Sequence, residues 1–325
     1  MKKYSLTTLV IVVVSLSICK NGIQAQSNNF LPDLTKAGLI SNNDFSFYFH
    51  SLGDDILYRR WGYPPIGRNE KVLLIIHGIG FHSYPYKKIM NYIENDSILV
   101  YAMDLRGNGL SGKAKGILES NEKILTDMDN MICIIRKDNP NSEIFLMGVS
   151  MGGIYSLGYA IHDSIHTKLS GLILAGAALK AHRSQIFQVG NLLYLFPLAF
   201  NRHKSVIYLD GKRLELSSSD HDFINSRRND SLSIHYVSTD YLAKIREMQK
   251  MCKRKSLLAN ITLPVLIQHG GKDKIIDVKG SYYLKKNLTN SKTELIVYPD
   301  SKHSIFWDCD SSKAFKDLVH WVLKN

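Results

Sequence analysis

Short apolar segments alternate with longer amphipathic ones along most of this chain, and this alternation constrains the fold more than any other feature of the sequence. Six segments of three to six residues are predicted strands, and they occupy positions 72–76, 98–103, 144–148, 172–175, 265–267 and 295–298. Strands that are apolar on both faces are typical of parallel sheets covered by helices. The pattern therefore predicts an α/β fold, with a mostly parallel central sheet and helices on both of its faces.

The segments between these strands have the spacing of helices. The spacing is clearest over 119–137, where apolar residues recur on one side from Ile124 to Ile135 and Pro140 follows as a stop. Further helices are predicted over 86–94, from 151 onward, over 278–288 and in the closing segment to 323. Ahead of them, the aromatic segments 45–49 and 56–61 flank Gly53 and predict an antiparallel hairpin.

The alternation stops between positions 180 and 260 and then resumes. An interruption of about 80 residues is too long for a plain loop and is the usual form of a lid. We therefore expect one catalytic domain, formed by residues 26–179 and 261–325, that carries a lid insertion over 180–260.

The predicted insertion combines an apolar stretch with basic residues. The stretch covers 192–200, and Lys250, Lys253, Arg254 and Lys255 form a basic run near the end of the insertion. The simplest interpretation of this run is a solvated helix face. The alternative is a lid that makes peripheral contact with an anionic membrane and admits an acyl chain.

The first 25 residues have the three parts of an export signal. Lys2 and Lys3 supply positive charge, an apolar run covers 6–18, and Ala25 provides a small residue before a cleavage point. A membrane-spanning helix needs about 20 apolar residues, more than this run contains. We expect an exported chain, periplasmic or secreted. A lipoprotein anchored through Cys19 and an uncleaved signal anchor are the alternatives.

The chain is basic, with 41 Lys and Arg against 29 Asp and Glu and a formal net charge of +12 over 325 residues. Such a charge attracts anionic surfaces without choosing among them. We expect no nucleic-acid partner, because no recognisable nucleic-acid-binding module accompanies the charge. Four Cys in a chain of this length exclude a disulfide scaffold, and their spacing forms neither a zinc motif nor a redox motif.

A predicted strand, a sharp turn and a predicted helix frame the motif Gly148-Val149-Ser150-Met151-Gly152. This is the G-x-S-x-G pattern in the context that a nucleophile elbow requires. Glycines permit the close backbone approach of such a turn, which lifts the serine hydroxyl above the sheet. We therefore predict that Ser150 is a nucleophile.

A serine hydroxyl is a poor nucleophile near neutral pH and needs a base, which in turn needs an orienting carboxylate. Asp273 and His303 each follow a predicted strand, in the chain order Ser, Asp, His that accompanies this elbow. Because carboxyl ends of parallel strands meet at one edge, we expect the three side chains to lie together there. Asp277 and Asp300 are rival carboxylates that we rank below Asp273.

Two backbone N–H groups are predicted to bind a developing oxyanion. One belongs to Ile79, in the glycine-flanked loop His77-Gly78-Ile79-Gly80 after the strand 72–76, and the other to Met151, directly after the nucleophile. His77 precedes the oxyanion turn, and we interpret it as a residue that shapes the loop rather than as a base.

With these motifs the sequence resembles the α/β-hydrolase superfamily, and within it the monoacylglycerol lipase and lysophospholipase-like branch, also called serine-aminopeptidase-like. The resemblance is carried by HGIGFHS at 77–83, DLRGNGLSG at 104–112, GVSMGG at 148–153 and the segments around Asp273 and His303. It extends from about position 45 to the end of the chain and is weak across the insertion.

Two positions depart from the pattern of this branch. Phe81 stands where its lipases commonly have Glu, and Asn108 stands where they commonly have His. Neither is a predicted triad position, so the departures bear on the substrate and leave the reaction type intact. The resemblance also implies that Asp104 and Arg106 are structural and brace their loop by charge-assisted bonds.

Motifs and resemblance together predict a serine hydrolase that cleaves a small hydrophobic, lipid-like ester, a monoacylglycerol or a lysophospholipid, through an acyl-enzyme. This chemistry requires no metal and no organic cofactor. A serine aminopeptidase, a non-lipid carboxylesterase and a non-catalytic binding protein of the same fold are alternatives, because one fold supports many functions. A dinucleotide site at Gly107, Gly109 and Gly112 is disfavoured, since no acidic residue follows a second strand as that site requires.

Overall fold

The computed structural model describes residues 25–26, 45–62, 71–93, 98–161, 168–183, 206–209 and 212–325. The predicted export signal lies outside these residues except for Ala25, and the apolar stretch 192–200 lies outside them entirely. Export and the lid's contact with a membrane therefore stay predictions. Within the described ranges, no helix is both long enough and apolar enough to cross a membrane.

The strands of the described residues form one large sheet and one small ribbon. They are β1 (Ala25–Gln26), β2 (Phe45–Ser51), β3 (Asp54–Trp61), β4 (Lys71–Ile76), β5 (Ile98–Met103), β6 (Glu143–Val149), β7 (Gly171–Ala175), β8 (Val206–Tyr208), β9 (Tyr236–Ser238), β10 (Val265–Gly270) and β11 (Thr293–Tyr298). The large sheet has the order β1-β2-β3-β5-β4-β6-β7-β10-β11, and β8 pairs with β9. In the large sheet, the neighbouring strands of the series β5-β4-β6-β7-β10-β11 all pair parallel. The pairs β1–β2, β2–β3 and β3–β5 are antiparallel. The predicted mostly parallel sheet is confirmed.

The α-helices of the described residues are α1 (Asn121–Asp138), α2 (Met151–Ile161), α3 (Lys212–Ser217), α4 (His221–Asn229), α5 (Thr239–Cys252), α6 (Lys255–Leu258), α7 (Lys279–Asn287) and α8 (Ser311–Lys324). The segment predicted as a helix over 86–94 is instead the 3-10 helix Tyr84–Tyr92. Its type follows from a three-residue repeat: the Tyr86 N–H donates to the Ser83 carbonyl at 3.1 Å, and Tyr86 and Ile89 are both buried.

The large sheet is buried on both faces. Along β4, Val72 and Leu74 belong to one apolar cluster, and Leu73 and Ile75 belong to another. The first cluster includes apolar residues of α1, α2 and α5, and the second includes residues of α8 and of the 3-10 helix. Because successive side chains of a strand point to opposite faces, β4 has to be apolar at nearly every position.

The described part of the predicted insertion lies between β7 and β10 and contains β8, β9 and the helices α3 to α6. Its helix α5 packs into the main core, where Ile245, Met248 and Cys252 share the cluster of α2. The Cys252 thiol also contacts the carbonyl oxygen of Ile154 at 3.3 Å. The C-terminal part of this segment is thus continuous with the body of the protein, and the division into a catalytic domain and a lid stays a prediction.

His77 ties the end of β4 to the residues that follow β5. Its ring is fully buried, and the Leu105 N–H donates to Nε2 at 2.9 Å. The ring proton is therefore on Nδ1, which donates to the Gly78 carbonyl at 2.7 Å. Burial, opposed by the charge of Asp104, lowers the pKa of His77 to about 4. A neutral ring with both nitrogens occupied shapes the loop, as the sequence indicated.

We expect the free energy of unfolding to fall as the pH is lowered from 6.5 towards 4. The unfolded chain binds a proton at His77 near the ordinary pKa of 6.5, whereas the folded chain stays neutral there down to about 4. Stability therefore rises with pH across this window, by at most about 3 kcal/mol for this residue. Urea unfolding at several pH values measures the slope, which should be shallower in His77→Gln than in the wild type. Equal slopes in the two proteins would contradict the assignment.

Two glycines of α2 provide a matched test of close packing. A Cβ at Gly152 would overlap the main-chain oxygen of Ile76, which cannot move aside, whereas at Gly158 it would lie 2.5 Å from the flexible Met248 sulfur. Alanine also favours a helix over glycine by about 1 kcal/mol. We expect Gly152→Ala to lower the free energy of unfolding by about 3 kcal/mol, and Gly158→Ala to change it by no more than about 1 kcal/mol. Urea titration measures both, and similar losses would show that the approach of α2 to β4 is not limiting.

Candidate active site

Ser150 occupies the turn between β6 and α2, and its φ angle of +54° lies in the left-handed region. Residues with side chains rarely adopt this region, so neighbouring groups have to hold the turn. The Ser150 N–H donates to the Ala175 carbonyl at 2.8 Å, and the Ser150 carbonyl accepts from the Ala178 N–H at 2.9 Å. A Cβ at Gly148 would overlap the main chain of Gly152, which explains the glycines of the motif.

His303 lies in the loop after β11 and bridges the other two predicted residues. Its Nδ1 is 2.7 Å from Oδ2 of Asp273, and its Nε2 is 2.9 Å from Oγ of Ser150. A carboxylate only accepts hydrogen bonds, so Nδ1 carries the ring proton and the Nε2 lone pair faces the serine hydroxyl. The structure thus brings Ser150, His303 and Asp273 into one hydrogen-bonded series.

Asp273 lies in the loop after β10 and uses both oxygens. Oδ1 accepts from the N–H groups of Ile275 and Ile276 at 2.7 and 2.8 Å, which fixes the carboxylate plane. Oδ2 faces His303 and also lies 3.3 Å from Nε2 of a second histidine, His269. Burial alone would raise the pKa of Asp273, but the charges and hydrogen bonds of the two histidines outweigh it and hold the pKa below its ordinary value.

His269 is a contact of the site that sequence reasoning did not single out. It is fully buried on β10, and its Nδ1 is 2.8 Å from the Ser281 hydroxyl. Its position four residues before Asp273, at the end of a predicted strand, was the one available signal.

The rival carboxylates serve other purposes in the structure. Asp277 accepts from the Lys279 N–H at 3.0 Å at the start of α7 and pairs with Lys180 at 3.1 Å. Asp300 forms an exposed pair with Lys272 at 2.7 Å. In the described part of the chain, no group of three His, Cys, Asp or Glu side chains is placed to hold a metal ion.

The two predicted oxyanion donors flank the nucleophile. Gly78 packs so closely on Ser150 that a Cβ there would lie 3.3 Å from the serine Cβ, and Ile79 follows as the next residue. Met151 is the first residue of α2, where backbone N–H groups have no acceptor within the helix. Both residues therefore belong to segments next to Ser150, and Met151 also lies at the positively polarised N-terminus of α2.

Phe81, the first departure from the lipase pattern, is buried in an aromatic cluster. Its ring centroid lies 5.4 Å from that of Trp307, 5.8 Å from Tyr86 and 6.4 Å from Phe223. The guanidinium carbon of Arg227 stands 4.3 Å above the same ring. An apolar residue thus suits this position because its surroundings are aromatic.

Asn108, the second departure, connects its loop to the nucleophile turn. Its amide donates to the Tyr241 hydroxyl at 3.1 Å, and that hydroxyl lies 3.3 Å from the sulfur of Met151. Asn108 is therefore connected to Met151, the residue after Ser150, by the side chain of Tyr241 on α5.

Asp104 and Arg106 brace their loop, as the resemblance implied. Asp104 is fully buried, accepts from the Ser83 N–H at 2.7 Å and lies 3.3 Å from the guanidinium of Arg59. Arg106 donates to both oxygens of Asp127, from Nε at 3.0 Å and from Nη2 at 2.8 Å. Burial alone would raise the pKa of Asp104, but Arg59 and the neighbouring donors hold it below its ordinary value.

Known proteins resemble the chain over most of its length. Residues 67–310 match the family model Hydrolase_4, described as serine aminopeptidase, S33. The chain is 26% identical over 275 residues to a monoacylglycerol lipase of Mycolicibacterium smegmatis, covering 84% of this chain and 94% of that protein. It is 25% identical over 286 residues to a monoglyceride lipase of Rattus norvegicus, covering 86% of this chain and 90% of that protein.

A solved structure has the same fold. It is a soluble variant of monoglyceride lipase from Saccharomyces cerevisiae in complex with a substrate analog, which aligns with a TM-score of 0.77 at 23% identity. The alignment covers 88% of this chain and 97% of that one. The α/β-hydrolase fold and the family resemblance expected from the motifs are both confirmed. The chain is an esterase- and lipase-like α/β-hydrolase and belongs to the Hydrolase_4, or serine aminopeptidase S33, family.

Proposed function

We propose that this chain is a serine hydrolase that cleaves lipid-like carboxylic esters through an acyl-enzyme. In this proposal Ser150 is the nucleophile, His303 the general base and Asp273 the residue that orients the base. The observation that carries it is the hydrogen-bonded series of 2.9 Å from Ser150 to His303 and 2.7 Å from His303 to Asp273. These contacts satisfy the geometric requirement for an activated serine.

Acylation follows from the proton positions in that series. Oγ of Ser150 attacks the ester carbonyl carbon as its proton passes to Nε2 of His303, and Asp273 stabilises the resulting imidazolium. The tetrahedral intermediate then expels the alcohol, which takes the same proton from Nε2. The products of this half-reaction are the free alcohol and an acyl group esterified to Ser150.

Deacylation repeats the sequence with water as nucleophile. Nε2 takes a proton from the water, the oxygen attacks the acyl carbon, and the proton returns to Oγ as the fatty acid leaves. In both steps the carbonyl oxygen becomes negative, and the N–H groups of Ile79 and Met151 are the proposed donors to it. Each such donor typically contributes about 3 kcal/mol to transition-state stabilisation.

The lipid-like substrate class has two supports. Relatives matched over most of the chain are named for monoacylglycerol hydrolysis. In this structure two apolar residues lie close to Ser150 along their segments: Met151 follows it directly and is buried in the core, and Ile79, which follows Gly78, packs against that core. Such surroundings favour an acyl chain over a charged group.

We expect Ser150→Ala to reduce hydrolysis of a short p-nitrophenyl ester by at least about a thousandfold without loss of the fold. The alanine removes the attacking oxygen and retains the backbone, so circular dichroism and urea unfolding should stay close to wild type. Ser156→Ala is the matched control: Ser156 is a buried serine of α2 whose hydroxyl has no hydrogen-bond partner among the described residues. Undiminished turnover in Ser150→Ala would exclude the proposed nucleophile.

The family description favours one second candidate, a serine aminopeptidase. We expect the purified chain to hydrolyse monoacylglycerols and lysophospholipids with a kcat/KM at least about tenfold above that for aminoacyl amides, since the apolar residues described next to Ser150 favour an acyl chain over a charged amine. Release of fatty acid and release of amine measure the two activities, with Ser150→Ala as the blank. Faster cleavage of the amides would replace the esterase proposal by the aminopeptidase.

A further inference from the structure

The loop 77–83, here called the oxyanion loop, is anchored at both ends by the main body of the protein. At its start, the ring of His77 accepts from the Leu105 N–H at 2.9 Å, and within the loop the Gly78 carbonyl accepts from the Phe81 N–H at 3.2 Å. At its end, the Ser83 N–H donates to Asp104. The residues between these anchors, from Gly80 to His82, are held by a distant part of the chain.

That part is the segment 227–234, here called the strap, which covers the end of α4 and the residues after it. The Gly80 carbonyl accepts two donors from the strap, the Ile234 N–H at 3.0 Å and the Arg227 guanidinium at 3.2 Å. The backbones are in direct contact, because a Cβ at Gly80 would lie 2.6 Å from the Ile234 oxygen. Gly80 is one residue from Ile79, so these contacts bear on the position of the Ile79 N–H.

The second contact is a hydrogen bond between a loop histidine and a strap carboxylate. Nε2 of His82 lies 2.7 Å from Oδ2 of Asp230, and the two side chains are only 2% and 15% exposed. Asp230 is also held within its own segment, because it accepts from the Ser233 hydroxyl at 2.6 Å and from the Leu232 N–H at 3.0 Å. Burial alone would raise the pKa of Asp230, but these partners hold it below its ordinary value, so the carboxylate is ionised at neutral pH.

The third contact is between Arg227 and the aromatic ring of the loop. The guanidinium carbon stands 4.3 Å above Phe81, a typical cation–π distance, while its Nη1 reaches the Gly80 carbonyl. Gly80, Phe81 and His82 are therefore each held by the strap. The three strap residues that make these contacts are Arg227, Asp230 and Ile234.

We propose that the strap positions the oxyanion loop for catalysis, with Arg227 and Asp230 as positioning residues for the Ile79 N–H. The proposal rests on the proposed esterase function, because it concerns the same site. An oxyanion donor acts only when it stands about 2.7–3.1 Å from the place where the charge develops. A shift of about 1 Å in the loop would remove most of that contribution without affecting Ser150, His303 or Asp273.

A strap that only fastened the insertion to the body would give a different result. Its loss would lower stability or alter substrate entry, and the preference of the enzyme for a carbonyl oxygen would not change. A thionoester has sulfur in place of that oxygen and is a weaker hydrogen-bond acceptor. The ratio of kcat for an oxoester to kcat for its thionoester therefore reports on the oxyanion donors specifically.

The experiment compares Asp230→Ala and Arg227→Gln with Arg228→Gln, a matched control on the same helix. Arg228 forms an exposed pair with Glu215 at 3.2 Å, on the insertion itself. For the first two variants we expect kcat on a p-nitrophenyl oxoester to fall by about tenfold to a hundredfold, with KM changed by less than about twofold. The oxoester-to-thionoester ratio should fall at least about fivefold, and Arg227→Lys should recover part of it. Arg228→Gln should match wild type on both esters.

Two outcomes would overturn the proposal. One is an unchanged kcat and an unchanged ratio in Asp230→Ala, whatever its melting temperature. The other is an equal loss on both esters, which would show that the strap does not act through the oxyanion. If Asp230→Ala does not fold, Asp230→Asn removes the charge at nearly constant shape and should lower the ratio in the same direction. Failure of the esterase function is separate, since wild type would then hydrolyse neither ester or Ser150→Ala would hydrolyse both.

Discussion

The left-handed turn at Ser150 is the constraint on which the surrounding structure depends. A non-glycine residue in this conformation costs on the order of 1–3 kcal/mol, and it persists only when its neighbours compensate. Here the compensation comes from Ala175 at the end of β7, from Ala178 beyond it and from the approach of α2 to the end of β4. Those groups meet because parallel strands end at a common edge. The apolar sheet therefore holds in place the groups that stabilise the strained conformation of Ser150.

Buried charge is used in two ways around this turn. Asp104 and Asp127 face guanidinium groups, and the resulting pairs brace loops beside the site. Asp273 instead faces His303 and His269, so its charge acts on an imidazole. Loss of one partner of such a pair leaves an uncompensated buried charge, which costs several kcal/mol. Because Asp273 holds Nδ1 of His303, the Nε2 lone pair of the same ring stays directed at the Ser150 hydroxyl.

The features that the sequence predicts correctly are those with a local signal. The strands, the hairpin and the sharp turn at Ser150 all depend on residues that are neighbours in the chain. The 3-10 helix was predicted as an ordinary helix because both conformations bury Tyr86 and Ile89 on one side. Asp273 was preferred to Asp277 for its position in the loop that follows a predicted strand, because both residues satisfy the chain order Ser, Asp, His.

The structure adds the reason for that choice and the contacts that sequence spacing cannot encode. Asp273 has an oxygen directed at His303, whereas Asp277 accepts from the Lys279 N–H at the start of α7 and pairs with Lys180. His82 and Asp230 are 148 residues apart, so no periodic pattern relates them. Phe81 likewise has its explanation in Trp307 and Phe223, far along the chain.

The strap also restricts how a lid could open in this protein. A lid that swung away as a rigid whole would carry Arg227 and Asp230 with it, and would break their contacts with the oxyanion loop. Helix α5 opposes such a motion as well, because its buried face shares the core of α2. If the strap positions Ile79, substrate has to enter while residues 227–234 stay in place. A lid motion that removed them from the oxyanion loop would also displace the Ile79 N–H. The predicted insertion would then form a fixed wall of the proposed active site along this segment.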